Sequence, residues 1–419
     1  TGALAAEVAL ADGDPVAAAA LAQAIDDGEH APADALVAGV LVAGLADNTR
    51  GRSIATATVN LARFDAVASV AHAASLPAQV ALALARAEAL ASLDQAAAAI
   101  AAVAQAQKLA TTSPMLRSSA RVAAAEAALA LRLGDPTAAL GHGKRALELA
   151  AKASDRRARA EALVVVGGAL ARLGRLDEAA LAFGHGHDEA AGLTNGTVAV
   201  EALIAHGELA RRAGDVVHAG ALFERARDAA RKRGATGLLA RAVRGLGLLA
   251  AQAGDGAGAT RTLQSAIAIG DGDEADLARL DLARLRLAAA TAAIRPAVAT
   301  EIVAALHDGL DQMPSGEHAG QAGFRVERAL LVAEAMCAIG RHPEANALLA
   351  QHRDIAAALD PSPFGALLLM LGQLQIAAGD GAGGGATLAQ ALDVAGRVGA
   401  VEAGVVRGVI ERLRHDADT

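Results

Sequence analysis

"GGALARLGRLDEAALAF" (167–183) returns forty residues later as "GELARRAGDVVHAGALF" (207–223). Both stretches open on a glycine (Gly167, Gly207), run through an apolar stripe to a second glycine (Gly174, Gly214) and close on Phe183 and Phe223. The frame recurs in "AALALRLGDPTAALGHG" (127–143), "GLLAAQAGDGAGATRTL" (247–263), "AEAMCAIGRHPEANALL" (333–349) and "GQLQIAAGDGAGGGATL" (372–388). Its turn glycines are Gly134, Gly174, Gly214, Gly254, Gly340 and Gly379. Between Gly254 and Gly340 lies about two units of chain, where a turn without glycine is expected near Ile294-Arg295-Pro296.

One unit has a direct physical reading. Leu163, Val166, Leu170 and Leu173 are spaced as one face of a helix. Gly174 ends that helix, because glycine accepts the left-handed conformation of a C-cap. An Asp or Arg follows, then a residue suited to a first helical turn, such as Pro136 or Pro343. Ala139, Ala179, Ala219, Ala259 and Ala345 stand five positions after the turn glycines, small enough to let the second helix press on the first. Gly167, Gly207, Gly247 and Gly372 lie inside first helices, where glycine costs about 1 kcal/mol relative to alanine. A recurrent cost of that kind marks a close helix contact. Phe183 and Phe223, with Leu263, Leu349 and Leu388 at the equivalent places, read as core plugs.

Composition agrees. The chain has 419 residues, is 54% hydrophobic and only 1% aromatic, and lacks Trp and Tyr. Ala and Leu are the strongest helix formers, and a core of small residues fits many thin helix–helix layers. The prediction is an all-α, right-handed solenoid of antiparallel helix pairs. A net charge of −8 argues against direct nucleic-acid binding. The basic runs "KRALELAAKASDRRARA" (144–160) and "FERARDAARKRGA" (223–235) read as solvated helix faces. One cysteine, Cys337, excludes an internal disulfide and a cysteine-based zinc site, and fits a reducing cytoplasm. The uncharged stretches 66–85 and 361–379 are too polar or alanine-rich for a membrane span, and no secretion signal is visible. Basic residues that are nearly all Arg, with abundant Ala and Gly, suggest a GC-rich bacterial genome, and in a bacterial cytoplasmic protein the Asn195-Gly196-Thr197 sequon would carry no weight. A chain that lacks an initiator Met and enters a helical pattern at once is expected to be a piece of a longer protein.

The pattern resembles the tetratricopeptide repeat: a small residue in the first helix, a turn glycine, a small residue opening the second helix and a large apolar residue after it. The resemblance covers 116–272 and 321–391. It departs in unit length, about forty residues instead of thirty-four, and in its sparse aromatics; HEAT-like pairs share that length. The expected division is 1–115 as degenerate helical repeats, 116–272 as regular repeats, 273–320 as a drifted repeat and loop, and 321–419 as further repeats with a final helix and polar tail. In the first part "LADGDPVAAAALAQAI" (10–25) echoes the repeat, with turns expected near Arg63-Phe64-Asp65 and Leu93-Asp94-Gln95. "HDGLDQMPSGEHAG" (307–320) is expected to be a long loop or joint.

Motifs that resemble chemistry dissolve in this frame. Gly379-Asp380-Gly381-Ala382-Gly383-Gly384 satisfies G-x-G-x-x-G but follows a helix rather than a strand. "GHGKRA" (141–146) lacks the features of a phosphate loop. His185, His187 and Asp188 are too close in sequence to converge from one helix. No catalytic set, cofactor site or metal site is read, so a non-catalytic function is expected.

In the tetratricopeptide family the first helices line a concave groove for protein or peptide partners, which the resemblance implies here. The forty-residue unit and phrases such as "RDAARKRGATGLLARAVRGLGLLAAQAGD" look like the repeat/sensor region of large ATP-binding LuxR-type bacterial transcriptional regulators. A stand-alone scaffold, and a repeat region attached to an enzyme such as a caspase-like protease, are the alternatives. The candidate groove residues are Arg132, Arg172 and Arg212, two places before successive turn glycines, with Glu201, Glu208, Arg211, Arg241 and Arg244. Three aligned guanidinium groups suit carboxylates or phosphates; equally, a cation in a last helical turn complements the helix dipole.

Overall fold

The computed structural model describes residues 33–50, 54–93, 95–112, 116–193, 197–270, 272–307, 319–357, 361–398 and 400–418. The 10–25 echo, Asp94, the first two sequon residues and most of 307–320 lie outside them. Nineteen helices and no strand occur among the described residues. They fall into two compact units, 1–170 with 176–279, and 280–419 with the short segment 171–175.

The first unit runs through α1 (Ala33–Arg50), α2 (Ile54–Ala71), α3 (Leu76–Ser92), α4 (Ala96–Thr112), α5 (Leu116–Arg132), α6 (Pro136–Lys152), α7 (Arg156–Arg172), α8 (Leu176–Ala190), α9 (Thr197–Arg212), α10 (Val216–Lys232), α11 (Thr236–Gln252) and α12 (Gly256–Ile269). The second contains the end of α13 (Asp273–Ala289), then α14 (Arg295–Leu306), α15 (Ala319–Ala338), α16 (His342–Ala357), α17 (Pro361–Ala377), α18 (Gly381–Val398) and α19 (Ala400–Asp418). These are the helix pairs that the repeat predicts, in a tetratricopeptide-type solenoid.

The turns follow the sequence reading. Gly134, Gly174, Gly214, Gly254, Gly340 and Gly379 all have φ between 74° and 91°, a region that strains other L-residues by about 1–2 kcal/mol. Where Asp follows, its carboxylate caps the next helix: Asp135, Asp215, Asp255 and Asp380 each accept from the backbone N–H three residues on, at 2.8–3.0 Å. The turn between α13 and α14 falls at Ile294, as expected without glycine.

The first-helix glycines mark the closest approaches. A methyl group at Gly167 would meet the Phe183 ring at 2.6 Å; at Gly207 it would meet Phe223 at 2.9 Å. Gly247 and Gly372 stand in the same relation to Leu263 and Leu388. Phe183 and Phe223 are buried, as are the five alanines after the turns. Phe223 also fills the notch at Gly245 of α11, tying three helices together.

Two expectations are corrected. Arg63-Phe64-Asp65 lies inside α2: Phe64 is buried with Val37, Val40, Val67 and Leu82, and Asp65 pairs with Arg86 of α3 at 2.7 Å. The charges flanking Phe64 are the surface of one continuous helix, which has no glycine to stop it. The polar end of the chain is helical through Asp418 rather than a tail.

Candidate functional site

The first helices of the first unit form a continuous face. Leu131 of α5 sits against Gly168 of α7; Ala160 of α7 clusters with Val198 and Ala199 of α9; α9 packs on α11. Alanine and glycine at these seams let the helices lie close. The face is recessed: in α7, α9 and α11 only Arg156, Arg212 and Gln252, all at helix ends, are fully exposed. The half-buried stripe of α9 reads Glu201, Ala205, Glu208 and Arg211, and that of α11 reads Arg241, Arg244, Leu248 and Ala251. On α5 the corresponding run is Arg121, Ala125, Ala128 and Arg132, and on α7 Glu161, Val165 and Gly168. Each stripe is thus small or apolar towards its middle and charged towards an end. α1 also packs on α11.

Arg132, Arg172 and Arg212 each end a first helix. Arg132 and Arg212 are exposed, and Arg172 is half-buried in the 171–175 segment that groups with the second unit. Arg132 and Arg172 each take part in an interaction of their own, as do Glu201 and Arg244. Arg211 is paired with Glu208 at 3.0 Å, and Arg241 with Glu274 at 3.5 Å. Arg121 approaches Asp155 at 4.0 Å, and Arg157 bonds Glu161 at 2.9 Å. A ligand carboxylate must therefore compete with Glu208 for Arg211.

Two arrangements escaped the sequence reading. An open cleft of about 540 Å³ lies between α6, α7 and α8, floored by Leu147, Ala151 and Leu163. At its rim Glu189 is held by Arg159 at 2.7 Å and by Arg156 at 3.5 Å. His185 and Asp188 line this cleft, whereas His187 turns to Ala199 and Arg225. The residues of "FGHGHDE" thus diverge. The spacing of His187 and Arg225, close to one repeat, is the signal that places them on neighbouring second helices.

The remaining motifs are structural. Gly383 donates its N–H to Asp380 at 2.8 Å, so the glycine-rich turn caps its own helix. Gly143 of "GHGKRA" is mid-helix against Val166. Burial, then Glu334, pushes the Cys337 thiol up, away from the thiolate. Among the described residues no group of three His, Cys, Asp or Glu side chains could hold a metal ion, and no helix is long and apolar enough to cross a membrane.

No protein-family model and no curated protein sequence matches the chain. Solved structures do match in fold. A Rap protein complexed with competence and sporulation factor is 13% identical, with a TM-score of 0.52 over 89% of this chain and 96% of its own. The apo quorum sensor NprR from B. thuringiensis is 12% identical, with a TM-score of 0.53 over 84% and 97%. Aspartyl phosphate phosphatase F from Bacillus subtilis is 12% identical, with a TM-score of 0.52 over 84% and 92%. The common property is the helical-repeat fold.

Proposed function

We propose that the chain is a non-catalytic interaction or sensor scaffold whose first unit receives an extended protein or peptide segment along the faces of α5, α7, α9 and α11. The recessed face, small in the middle and charged at the ends, carries this reading. A strand-like segment needs closely approached small residues for its backbone and fixed charges for its polar side chains. The arginines favour an acidic partner, through charge-assisted bonds worth about 1.5–3 kcal/mol each. The solved neighbours that include a complex with competence and sporulation factor and a quorum sensor are consistent with it.

Within that reading, a cytoplasmic origin and the repeat region of an ATP-binding LuxR-type transcriptional regulator are the favoured setting. The forty-residue unit and the composition support it. A stand-alone scaffold for complex assembly, or the repeats of an enzyme, use the same face.

The test is fluorescence anisotropy with a labelled peptide of alternating Glu and Leu. Replacing Arg132, Arg211 and Arg212 with Gln together should weaken binding about tenfold or more, equivalent to ~1.4 kcal/mol, with thermal stability held. Arg172→Gln, made separately, reports the helix-end contribution. Unchanged binding with reduced stability in the triple variant would make these arginines helix-dipole partners only.

A further inference from the structure

We propose that the cleft between α6, α7 and α8 binds a small aliphatic zwitterion, a free amino acid or a dipeptide with both ends uncapped. The ligand carboxylate sits on Arg156 and Arg159, the ammonium on Asp188, and the aliphatic part on Leu147 and Leu163. The site does not rest on the reading of the first-helix face, because Arg159 and Leu163 stand outside the α7 stripe of that face.

The same place recurs between successive hairpins at steps of forty residues, and its neighbours are closed. Between α4, α5 and α6, the residues Gln107, Ser119, Ala123 and Arg145 stand where Leu147, Arg159, Leu163 and His185 stand here. The space left there is about 40 Å³, against about 540 Å³ in the cleft. Between α8, α9 and α10 the protein fills the place itself. His187, the counterpart of Leu147, lies 3.0 Å from Arg225, the counterpart of His185, and 3.2 Å from the carbonyl oxygen of Ala199. Leu147 has no polar end to make such a bridge, and Arg159 is held by Glu189. The frame thus supplies the position, and the residues of this one interval leave it open.

The charges of the cleft are arranged for both ends of a zwitterion. Glu189 binds Nη2 of Arg159 at 2.7 Å and Nε of Arg156 at 3.5 Å, and its carbonyl oxygen accepts from Nη2 of Arg156 at 3.2 Å. One carboxylate therefore fixes two guanidinium groups and leaves one positive charge. Each guanidinium carries five N–H donors, and those not given to Glu189 have no partner among the described residues. A ligand carboxylate matches that single charge with the geometry guanidinium groups prefer. A phosphate dianion exceeds it and meets Asp188. Asp188 itself is exposed, pairs with neither arginine and has no partner among the described residues. It is the free anion that an ammonium group needs. His185, three residues before it on the same helix, faces the same cleft and offers a ring nitrogen beside it.

The floor sets the body of the ligand. Leu147, Ala151 and Leu163 are aliphatic and carry no ring for stacking. An aliphatic side chain laid on them takes apolar surface of both partners out of water. The volume falls in the range of roughly 300–1,000 Å³ typical of clefts for small organic ligands, and it accommodates a dipeptide as well as a single amino acid.

The experiment is calorimetric titration of the full chain at pH 7.5 with leucine and with leucyl-leucine. Binding of either is expected, and the tighter of the two identifies the source. Leucinamide, which lacks the carboxylate, and isocaproate, which lacks the ammonium, should each bind about tenfold more weakly or worse. Asp188→Asn, at a side chain that holds no other group, should weaken the zwitterion by about the same factor with an unchanged thermal midpoint, as should Arg156→Gln combined with Arg159→Gln. Ala151→Trp, at an exposed helical position, should block the cleft, and it decides the matter if the arginine variant does not fold. No binding of either ligand at millimolar concentration would overturn the proposal. So would isocaproate binding as tightly as leucine, or binding that survives both Asp188→Asn and Ala151→Trp.

Discussion

First and second helices of the same hairpins present opposite surfaces. The second helices α6, α8 and α10 expose Lys144, Arg145, Glu148, Asp177, Glu178, Asp188, Arg225, Asp228 and Arg231. The first helices α7, α9 and α11 expose only terminal residues, and their half-buried stripes mix charges with alanine, glycine and single aliphatics. One set meets water with long charged side chains. The other is recessed, with Arg211 and Arg241 held in ion pairs. Both sets share one packing frame, so the contrast comes from which residues the frame leaves free to vary, and it is the reason the proposed partner is placed on the recessed side.

Phe223 is where that contrast breaks most readily, because its ring joins α9, α10 and α11 at the notches of Gly207 and Gly245. Phe223→Ala should lower the unfolding free energy by about 3–5 kcal/mol, read as a fall in the urea midpoint. A loss under about 1 kcal/mol would mean that the hairpins are held chiefly elsewhere. Gly207→Ala approaches the same joint from the other side. The added methyl overpacks the ring by about 1–3 kcal/mol, less about 1 kcal/mol regained from helix propensity. A stabilised variant would show that the notch is not tight. Asp215→Ala removes the cap of α10 and should cost about 0.5–2 kcal/mol. Arg231→Ala, on the exposed second-helix surface, should stay within about 0.5 kcal/mol of wild type. A larger change there would mean that the charged surface also holds the fold.

The sequence makes the hairpins legible because their constraints are local and repeated. Gly214 and Asp215 fix a turn and a cap within two residues, and the pairing of Gly207 with Phe223 recurs often enough to show as a pattern. Arg63-Phe64-Asp65 was misread because the N-terminal hairpins lack those signals, and a buried Phe between two charges suits a helix as well as a turn. The candidate arginines were found as positions, but their environment was not. Glu274 is thirty-three residues from Arg241, and only the stacking of α13 near α11 brings them together. The contact of His187 with Arg225 depends likewise on the register between successive hairpins.

The central claim is that the recessed first-helix face is where a partner lies. Its most direct measurement is a hydrogen-exchange footprint of a peptide selected from a random display library on the full chain. The account predicts added protection along α5, α7, α9 and α11, with binding abolished by Ala205→Arg, which puts a long cation into the small middle of the α9 stripe. Protection confined to α6, α8 and α10, with binding unaffected by Ala205→Arg, would contradict it.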